Sequence, residues 1–535
     1  MIGEKSMSNR DESAKEAKKI QLRGTLKVLI FLVLIILQIR WLVLIIFDLE
    51  GNFPWLSTVL TYASAVLMLY IYARNISPSF KLFWILLIAV FPVVGLCLYA
   101  LGGSQAVTRK VRKKFENAER ELGTMLKRDP GMIAELKTRD PSAGTLAHFL
   151  SKYAFAPLYR AETTKYYSDT SSALHDQEKA LENARNYIFM EYHAIEDGKS
   201  FQKIKEILIR KAAEGVVVRI IYDDLGSILM LRNGFQKELE SRGIACRRFN
   251  PVTPFLNVFM NYRDHRKITI VDGKTGFAGG YNIADQYCNI TQPYGYWKDT
   301  GVCITGAAVE SMTAQFLMMW ESLSNERNDA EKFLYEKEER PGSDISVKSE
   351  ISGYGFVQPY CDDPLDNEPV SEEIYLHHIR KANNYVWFST PYLIITDEMR
   401  RELISAAKRG IDVRIVVPGI PDKKLVNQCT KSYYGRLVAG GVKIYEYTPG
   451  FNHAKLCIAD GESAVVGSAN LDYRSLYHHF ENGIVFYHDP VVETVRQDLQ
   501  KMMDVSRQIS LQSLIAVPRW KKAFRMLIRL AAPML

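Results

Sequence analysis

The sequence has few cysteines, and they form no pattern that would bind zinc or build a disulfide framework. The seven are scattered along 535 residues, their number is odd, and no two are spaced as Cys-x-x-Cys. We therefore expect reduced structural thiols. The composition is that of a globular protein, with 24% charged and 47% hydrophobic residues. It excludes a disordered chain, a collagen-like chain and a bundle made only of membrane spans. Its length predicts two or more domains.

The sequence also lacks a basic charge spread along its length, which argues against a nucleic-acid partner. The formal net charge is +8, but the excess lies in two short segments. Residues 105–128 carry eight basic and three acidic side chains, and residues 516–535 carry five basic side chains and no acidic one. The remainder is slightly acidic. Charge concentrated in this way favours an anionic membrane surface as the partner.

Long apolar runs occur only near the N-terminus, at residues 28–47, 55–73 and 82–101. Each has roughly the 20 residues that cross a hydrocarbon core, and three such runs exclude a cleaved signal peptide. They predict a membrane anchor over residues 1–104 with two or three transmembrane helices. Gln38 and Arg40 interrupt the first run, which leaves the number of spans open. The basic cluster after the third run places the following chain in the cytoplasm.

Beyond residue 165 the chain repeats itself. The matching segments are 184–192 with 382–392, 215–221 with 410–416, and 243–249 with 441–447. Short β-branched runs that alternate with helices of about 10 to 15 residues are typical of βα units around a largely buried sheet. The sequence therefore predicts an α/β fold with two similar domains, residues 166–324 and 351–505, related by a pseudo-twofold axis.

Three segments lie outside this repeat. Residues 105–165 are predicted to form a basic helical linker, and the charge-rich residues 325–350 a solvated connection. In the basic tail, residues 506–535, apolar side chains such as Trp520 and Phe524 fall on one side of a helix. We interpret the tail as an amphipathic helix that lies in the lipid headgroup layer. Docking of this helix on the protein's own core is the alternative.

The strongest repeat is a His-x-Lys-x-x-x-x-Asp motif that occurs once in each copy and is followed by a Gly-rich turn and an asparagine. The residues are His265, Lys267, Asp272 and Asn282 in the first copy, and His453, Lys455, Asp460 and Asn470 in the second. Alternate residues of a strand share a face, so each His and Lys point to the same side. A twofold axis then brings two imidazoles, two ammonium groups and two carboxamides together. Since a Gly follows each Asp, the two aspartates either take part in the site or fix a turn.

Such a pocket suits a phosphodiester. The lysines and asparagines are expected to hold the non-bridging oxygens and to neutralise charge in the transition state without a metal or cofactor. One imidazole attacks phosphorus and forms a phosphohistidine, while the other protonates the leaving alkoxide and then deprotonates the incoming alcohol. Each imidazole needs an acceptor for its second nitrogen, and Asp299 and Glu481 follow the two motifs at similar distances. The other histidines, including His193 and His479, lack the motif and are expected at the surface or behind the site.

These residues resemble the phospholipase D superfamily, whose hallmark is the duplicated motif, and within it the bacterial cardiolipin synthases. The likeness extends over nearly the whole chain, including Tyr-Trp-Lys-Asp at 296–299 and Ser-Thr-Pro-Tyr at 389–392. It implies an enzyme that joins two phosphatidylglycerols into cardiolipin and releases glycerol. It also implies His265 as nucleophile and His453 as acid and base, although the symmetry of the motifs leaves that order open. Gly280 stands where the second copy has Ser468, so a hydroxyl contact to phosphate is expected on one side only.

Three functions stay open at this point. The first is a membrane phosphatidyltransferase of the cardiolipin synthase type. The second is a hydrolytic phospholipase D, another phosphatidyltransferase or a nuclease that uses the same motifs; the apolar runs and the slightly acidic body argue against the nuclease. The third is a non-catalytic lipid-binding scaffold, which two complete motifs argue against. The chain is also compatible with a homo-oligomer.

Overall fold

Helices and strands alternate along the body of the chain, as its pattern predicts. The computed structural model describes residues 54–74, 78–102, 109–252, 261–324, 329–334, 355–366 and 368–534, with single positions between 22 and 44. The helices are α1 (Pro54–Ala73), α2 (Pro78–Val90), α3 (Pro92–Gly102), α4 (Arg109–Met125), α5 (Pro130–Arg139), α6 (Pro141–Tyr153), α7 (Thr170–Glu182), α8 (Lys199–Ala213), α9 (Asp224–Ser227), α10 (Phe235–Ser241), α11 (Val309–Ser322), α12 (Glu331–Leu334), α13 (Val370–Lys381), α14 (Asp397–Lys408), α15 (Lys424–Ala439), α16 (Tyr473–Tyr477), α17 (Val491–Asp504), α18 (Leu511–Ile515) and α19 (Arg519–Leu530), followed by the 3-10 helix Ala532–Met534. The strands are β1 (Tyr159–Arg160), β2 (Thr163–Tyr167), β3 (Tyr187–Tyr192), β4 (Val217–Asp223), β5 (Ala245–Phe249), β6 (Arg263–Asp264), β7 (Lys267–Val271), β8 (Thr275–Gly279), β9 (Tyr296–Lys298), β10 (Gly301–Thr305), β11 (Phe356–Asp362), β12 (Tyr385–Ser389), β13 (Leu393–Ile394), β14 (Asp412–Pro418), β15 (Lys443–Tyr447), β16 (Gly450–Asn452), β17 (Leu456–Ala459), β18 (Ser463–Gly467), β19 (Leu471–Asp472), β20 (His479–Tyr487) and β21 (Ser506–Gln508).

Two mixed sheets share one strand order. The first runs β2-β10-β8-β7-β3-β4-β5, and the second contains β11-β20-β18-β17-β12-β14-β15, flanked by β1 and β21. In each, a parallel trio (β3-β4-β5 or β12-β14-β15) continues into antiparallel strands that begin at β7 or β17. The repeat in the sequence is therefore a repeat of topology, and the predicted α/β fold with two equivalent domains is present.

Buried apolar side chains form three cores around these sheets. One core lies between the domains, because it contains Phe189 and Ile268 of the first sheet together with Val466 and Ile484 of the second. Two further cores cover the outer faces, one under α7 and α8 and the other under α13, α14 and α15. Burial of one such side chain stabilises the fold by about 1.5–3 kcal/mol. The shared core therefore joins the two domains into one body.

Segments predicted as linkers are built into this body. Phe115 and Leu122 of α4 are buried, and their spacing of seven residues puts them on one helix face, which packs in the shared core. Strand β1 pairs with β11 of the second domain. In the predicted solvated connection, the described residues 329–334 also pack, with Ala330 and Leu334 buried. The segment was predicted to be solvated because most of its residues are charged, and its few apolar side chains hardly change that composition.

The N-terminal apolar runs differ from their predicted form. The run at 55–73 is helix α1, whereas the run at 82–101 is divided into α2 and α3 at Pro92, which has no backbone N–H to donate. Half of the residues in the run at 28–47 lie outside the described residues. Among the helices in the described part of the chain, none meets the length and hydropathy required of a transmembrane helix. Phe80 of α2 packs its ring against Tyr473 and His478, so these helices contact the second domain.

The tail helix α19 docks on the protein with one face and exposes an apolar stripe on another. Its Ile528 is buried, and Arg525 Nε donates a hydrogen bond of 3.0 Å to Gln428 Oε1 of α15, so one face docks on the protein. Trp520 and Leu527 on the apolar stripe remain 67% and 65% exposed. The predicted stripe therefore exists, but docking uses a different side of the helix.

Candidate functional site

Each histidine motif reaches into the sheet region of the opposite domain. His265 follows β6, which pairs with β20, and its N–H donates to Phe480 O at 2.9 Å. His453 follows β16, which pairs with β9, and its N–H donates to Lys298 O at 2.7 Å. A reciprocal exchange of this kind is the pattern that a twofold relation produces.

Each imidazole is held by a carboxylate of the opposite domain. His265 Nδ1 lies 2.9 Å from both carboxylate oxygens of Glu481, and His453 Nδ1 lies 2.6 Å from Asp299 Oδ2. Both carboxylates are fully buried. The two acceptors named from the sequence are thus beside the imidazoles, but each belongs to the other copy's histidine. Because Nδ1 is engaged, Nε2 is the nitrogen left for a substrate.

The two motif lysines lie beside the histidines. Lys455 Nζ is 2.8 Å from His453 Nδ1, and the Nζ of Lys267 donates to the backbone carbonyl of His265. Burial lowers the pKa of Lys267 to about 7 and that of Lys455 to about 8. Burial, and then the lysine charges, also holds the pKa of both imidazoles well below the usual 6.5. A buried site with four basic side chains suits an anionic ligand.

The two asparagines each keep one amide atom available. Asn282 Oδ1 accepts a hydrogen bond from the Ala194 N–H at 3.0 Å, while its buried Nδ2 has no hydrogen-bond partner among the described residues. Within the same described part of the chain, Asn470 Oδ1 is likewise buried without a partner. Buried polar atoms rarely stay unpaired, so both carboxamides have capacity for a ligand.

Ser468 does not have the environment expected of a phosphate contact. Its hydroxyl donates to Glu481 and accepts the Asn482 N–H at 2.9 Å, and it is fully buried. The hydroxyl therefore orients the carboxylate that holds His265. The first copy has Gly280 at this position and therefore no hydroxyl. A Cβ at Gly280 would lie only 2.3 Å from Asp299 Oδ1, so no side chain fits there. The difference between the copies reflects how each carboxylate is packed.

Asp272 and Asp460 bind backbone amides at the far ends of β7 and β17. Asp272 accepts the N–H groups of Arg185, Asn186 and Tyr187 at 2.7–2.9 Å. Asp460 accepts the N–H groups of residues 383–385 at 2.7–2.8 Å. Both aspartates have positive φ, 54° and 52°. The sequence left two roles open for these aspartates. Their hydrogen bonds correspond to the role of fixing a turn, and neither carboxylate contacts an imidazole.

Replacing Asp272 by alanine is expected to destabilise the first domain by about 2–4 kcal/mol, because three backbone donors lose their acceptor and alanine tolerates positive φ poorly. The thermal unfolding midpoint of the purified protein should fall by about 5 °C or more. Asp272→Asn, which keeps one acceptor oxygen and tolerates the backbone, is the matched control and should lose less. Equal midpoints for Asp272→Ala and the wild type would contradict this role.

The surroundings of the two imidazoles differ. The rings of His193 and His479 lie 5.0 and 5.2 Å from that of His265. The His453 ring instead faces Trp297 and Tyr287 at 5.2 and 5.3 Å. Sequence reasoning set aside His193 and His479 because they lack the motif; the only available signal was position, since His479 stands two residues before Glu481. The histidines, lysines and carboxylates are thus duplicated in the site, whereas the side chains that surround the two imidazoles differ.

One group of described residues brings metal-ligating atoms within 4.8 Å of one another: His265, His479 and Glu481. Glu481 already accepts hydrogen bonds from Ser468 and Ser475. The lysine ammonium groups nearby oppose a further cation. These residues therefore fit a hydrogen-bonded imidazole better than a metal, and the absence of a metal stays a prediction.

Comparison with known proteins gives consistent similarities. The model of the family "cardiolipin synthase, phospholipase D-like domain" matches residues 178–320 and 375–503. A Halalkalibacterium halodurans protein named cardiolipin synthase is 31% identical over 90% of this chain and 93% of its own length. An uncharacterized Streptococcus mutans protein is 37% identical over 84% of this chain and 96% of its own. Among solved structures, a Haemophilus influenzae phosphatidylserine synthase aligns with a TM-score of 0.53 at 15% identity, covering 71% of this chain and 97% of that one, which shows a shared fold.

Proposed function

The chain belongs to the cardiolipin synthase family of phospholipase D-like proteins, and from this premise we propose that it condenses two phosphatidylglycerols into cardiolipin and glycerol. It is an enzyme of the phospholipase D superfamily. The observation that carries the proposal is the pair of buried imidazoles, each bound through Nδ1 to a carboxylate and each beside a lysine. Such a pair supplies a nucleophile and an acid in one pocket.

In the first step, Nε2 of His265 attacks phosphorus of one phosphatidylglycerol. The P–N bond forms, the P–O bond to the glycerol headgroup breaks, and His453 gives its proton to the leaving oxygen. Lys267 and Lys455 neutralise the charge on the non-bridging oxygens. Burial and the lysine charges lower the pKa of both imidazoles, which favours the unprotonated His265 that attacks. The negative charge of the bound phosphate opposes this lowering and favours the protonated His453 that the step requires. Glu481 stabilises the positive charge that the His265 ring acquires.

In the second step, a glycerol hydroxyl of another phosphatidylglycerol attacks the phosphohistidine. His453 takes the hydroxyl proton, the P–O bond forms, the P–N bond breaks, and His265 returns to its starting state. Asp299 stabilises His453 whenever it carries the proton, over the 2.6 Å contact. The pocket needs no group beyond those on the chain to close this cycle.

The test is to give the purified full-length protein phosphatidylglycerol labelled in the phosphatidyl and glycerol parts. Cardiolipin with an equal amount of glycerol is the expected result. Phosphatidic acid as the main product would replace the transferase by a hydrolase, and the lack of any product would leave a lipid-binding scaffold. A different alcohol in the product would point to another phosphatidyltransferase.

Activity should fall as the pH rises. The lysine ammonium groups must be protonated to hold phosphate, so kcat/KM for phosphatidylglycerol declines on the alkaline side as the pH passes the pKa values of about 7 and about 8. A pH profile of initial rates measures this alkaline decline. In Lys267→Arg and Lys455→Arg, whose guanidinium stays charged, the decline should move to higher pH. A decline at the same pH in both variants would assign it to other groups.

We also propose that the protein is attached to the anionic bacterial cell membrane as a multi-pass protein, with its catalytic domains on the cytoplasmic side. Apolar side chains of α1 such as Val66 and Leu69 are 67% and 69% exposed. Helix α2 contacts His478, three residues before the active-site Glu481. This arrangement supports an active site held next to its lipid substrate.

Tail helix α19 is expected to contribute to this attachment. Changing Trp520, Phe524 and Leu527 together to serine removes its exposed apolar stripe and should reduce flotation of the protein with phosphatidylglycerol vesicles by about tenfold. Ile528 is buried against the protein, so Ile528→Ser disturbs the docking of the helix and leaves its exposed apolar stripe intact. Flotation of this variant is the comparison for the triple variant. Unchanged flotation of the triple variant would remove the tail from the lipid contact.

A further inference from the structure

Two charged residues at the edge of the site occur in only one of the two domains. Strand β14 ends at Pro418, and four and five residues later stand Asp422 and Lys423. Strand β4, its counterpart, ends at Asp223, and the same positions are Ser227 and Ile228. The reacting histidines and lysines are duplicated, whereas this pair is not. Such a difference lets a pocket with duplicated reacting groups treat two lipids unequally, one as donor and one as acceptor.

Asp422 has one oxygen engaged and one free. Its Oδ2 accepts a hydrogen bond of 2.6 Å from the Tyr392 hydroxyl. Its Oδ1 is buried and has no hydrogen-bond partner in the part of the chain that the structure describes. A buried carboxylate oxygen without a donor is costly. It is therefore suited to accept a hydrogen bond from a ligand hydroxyl.

Lys423 stands at the solvent side of the same segment. Its side chain is exposed, its Nζ lies 5.4 Å from the centre of the Tyr392 ring, and no ion pair among the described residues includes it. Its positive charge is among the causes, after burial and the motif lysines, that lower the pKa of both His265 and His453. The ammonium thus lies beside the Tyr392 ring, and no carboxylate of the described residues forms an ion pair with it.

An aromatic path joins this segment to one of the two histidines. The rings of Tyr392 and Phe451 are 6.5 Å apart, and those of Phe451 and His453 are 5.8 Å apart. The charge of Asp422 also acts on Lys455 and Tyr287, which both border His453. The pair thus lies on the His453 side, where the glycerol oxygen leaves and enters.

The chemistry of the second lipid fits the two groups. An acceptor phosphatidylglycerol brings a phosphate of its own and a glycerol with two hydroxyls, of which one attacks phosphorus and one does not react. The transferred phosphate already engages Lys267 and Lys455. The acceptor phosphate needs a further cation, and the spare hydroxyl needs an acceptor atom.

We propose that Asp422 and Lys423 form the acceptor-lipid site, in which Lys423 binds the acceptor's phosphate and Asp422 Oδ1 accepts a hydrogen bond from its unreacted glycerol hydroxyl. The assignment rests on the proposed function. In the bond-forming step it adds no reagent: the attacking hydroxyl still gives its proton to His453 while the P–N bond at His265 breaks. The pair orients the acceptor and fixes which end of the second lipid enters.

Two assays on the full-length protein in phosphatidylglycerol micelles separate the roles. The first measures incorporation of labelled free glycerol into phosphatidylglycerol, which uses the donor lipid and the phosphohistidine but no acceptor phosphate. The second measures cardiolipin formation. Lys423→Ala should lower cardiolipin formation by about tenfold or more through a higher KM for the acceptor, while glycerol exchange changes less than about twofold. Lys423→Arg, which keeps the charge, should restore cardiolipin formation.

Asp422→Ala, which removes the acceptor oxygen, should act differently, because free glycerol also presents hydroxyls to Oδ1. Exchange and cardiolipin formation should then fall together, by about tenfold. Lys424→Ala, the neighbouring exposed lysine, is the matched control and should change neither. Equal effects of Lys423→Ala on the two assays, or no effect on either, would overturn the acceptor site. A wild-type protein that shows neither exchange nor cardiolipin would instead refute the proposed function itself.

Discussion

Replacing either His265 or His453 by alanine is expected to lower cardiolipin formation by about ten-thousand-fold. Each imidazole has one nitrogen bound to a buried carboxylate and one left for chemistry. His175→Ala, an exposed histidine on α7, is the matched control and should keep full activity. Normal turnover in either active-site variant would refute the two-histidine mechanism.

The two histidine variants should differ in one respect. A phosphodiester with a nitrophenolate leaving group needs no proton from an acid, because nitrophenolate is a weak base. With such a substrate, His453→Ala should recover the burst of nitrophenolate that accompanies phosphohistidine formation, whereas His265→Ala should not. The opposite pattern would assign the nucleophile to His453 and the acid to His265. Recovery in both variants would show that neither histidine alone is the required nucleophile.

Neutralising the carboxylates is expected to have the second-largest effect, about a hundred- to ten-thousand-fold in kcat for Glu481→Gln and for Asp299→Asn. Both carboxylates are fully buried and contact Nδ1 of an imidazole at 2.6–2.9 Å. An amide in their place no longer stabilises a charged imidazole and favours the wrong tautomer. Glu493→Gln, an exposed carboxylate paired with Arg496, is the control and should be silent.

The nitrophenyl substrate also tests the pairing across the domains. Asp299 acts through His453, so Asp299→Asn should be rescued by the good leaving group. Glu481 acts through His265, so Glu481→Gln should not be rescued. If each carboxylate served the histidine of its own domain, the pattern would be inverted. Burst amplitudes of the two variants, measured side by side, decide between the arrangements.

The sequence was sufficient to predict which residues form the candidate site. The duplicated spacing named the histidines, lysines and asparagines, and a similar distance beyond each motif named Asp299 and Glu481. The spacing could not say which carboxylate meets which imidazole, because His265 and Glu481 are 216 residues apart in the chain and His453 and Asp299 are 154 apart. Their contact depends on how two complete domains pack, which local periodicity does not encode.

Residues outside the motif were harder to predict for the same reason. Ser468 was expected at phosphate, but its neighbour is Glu481, and only the packing of β18 against β20 brings them together. Helix α4 was expected in a linker because its basic residues dominate its composition. Its buried Phe115 and Leu122 carry the packing signal in their spacing.

By itself the sequence determined the α/β class, the duplication and the chemical groups of the site, since these follow from alternation, helical spacing and repeated residue types. The tertiary structure decided which groups act together. It paired each imidazole with the other domain's carboxylate, engaged Asp272 and Asp460 with backbone amides, and left Asp422 Oδ1 buried without a described partner beside Lys423. The physical reason is that hydrogen bonding and burial are properties of three-dimensional neighbours, and these neighbours meet only after both sheets have formed and packed.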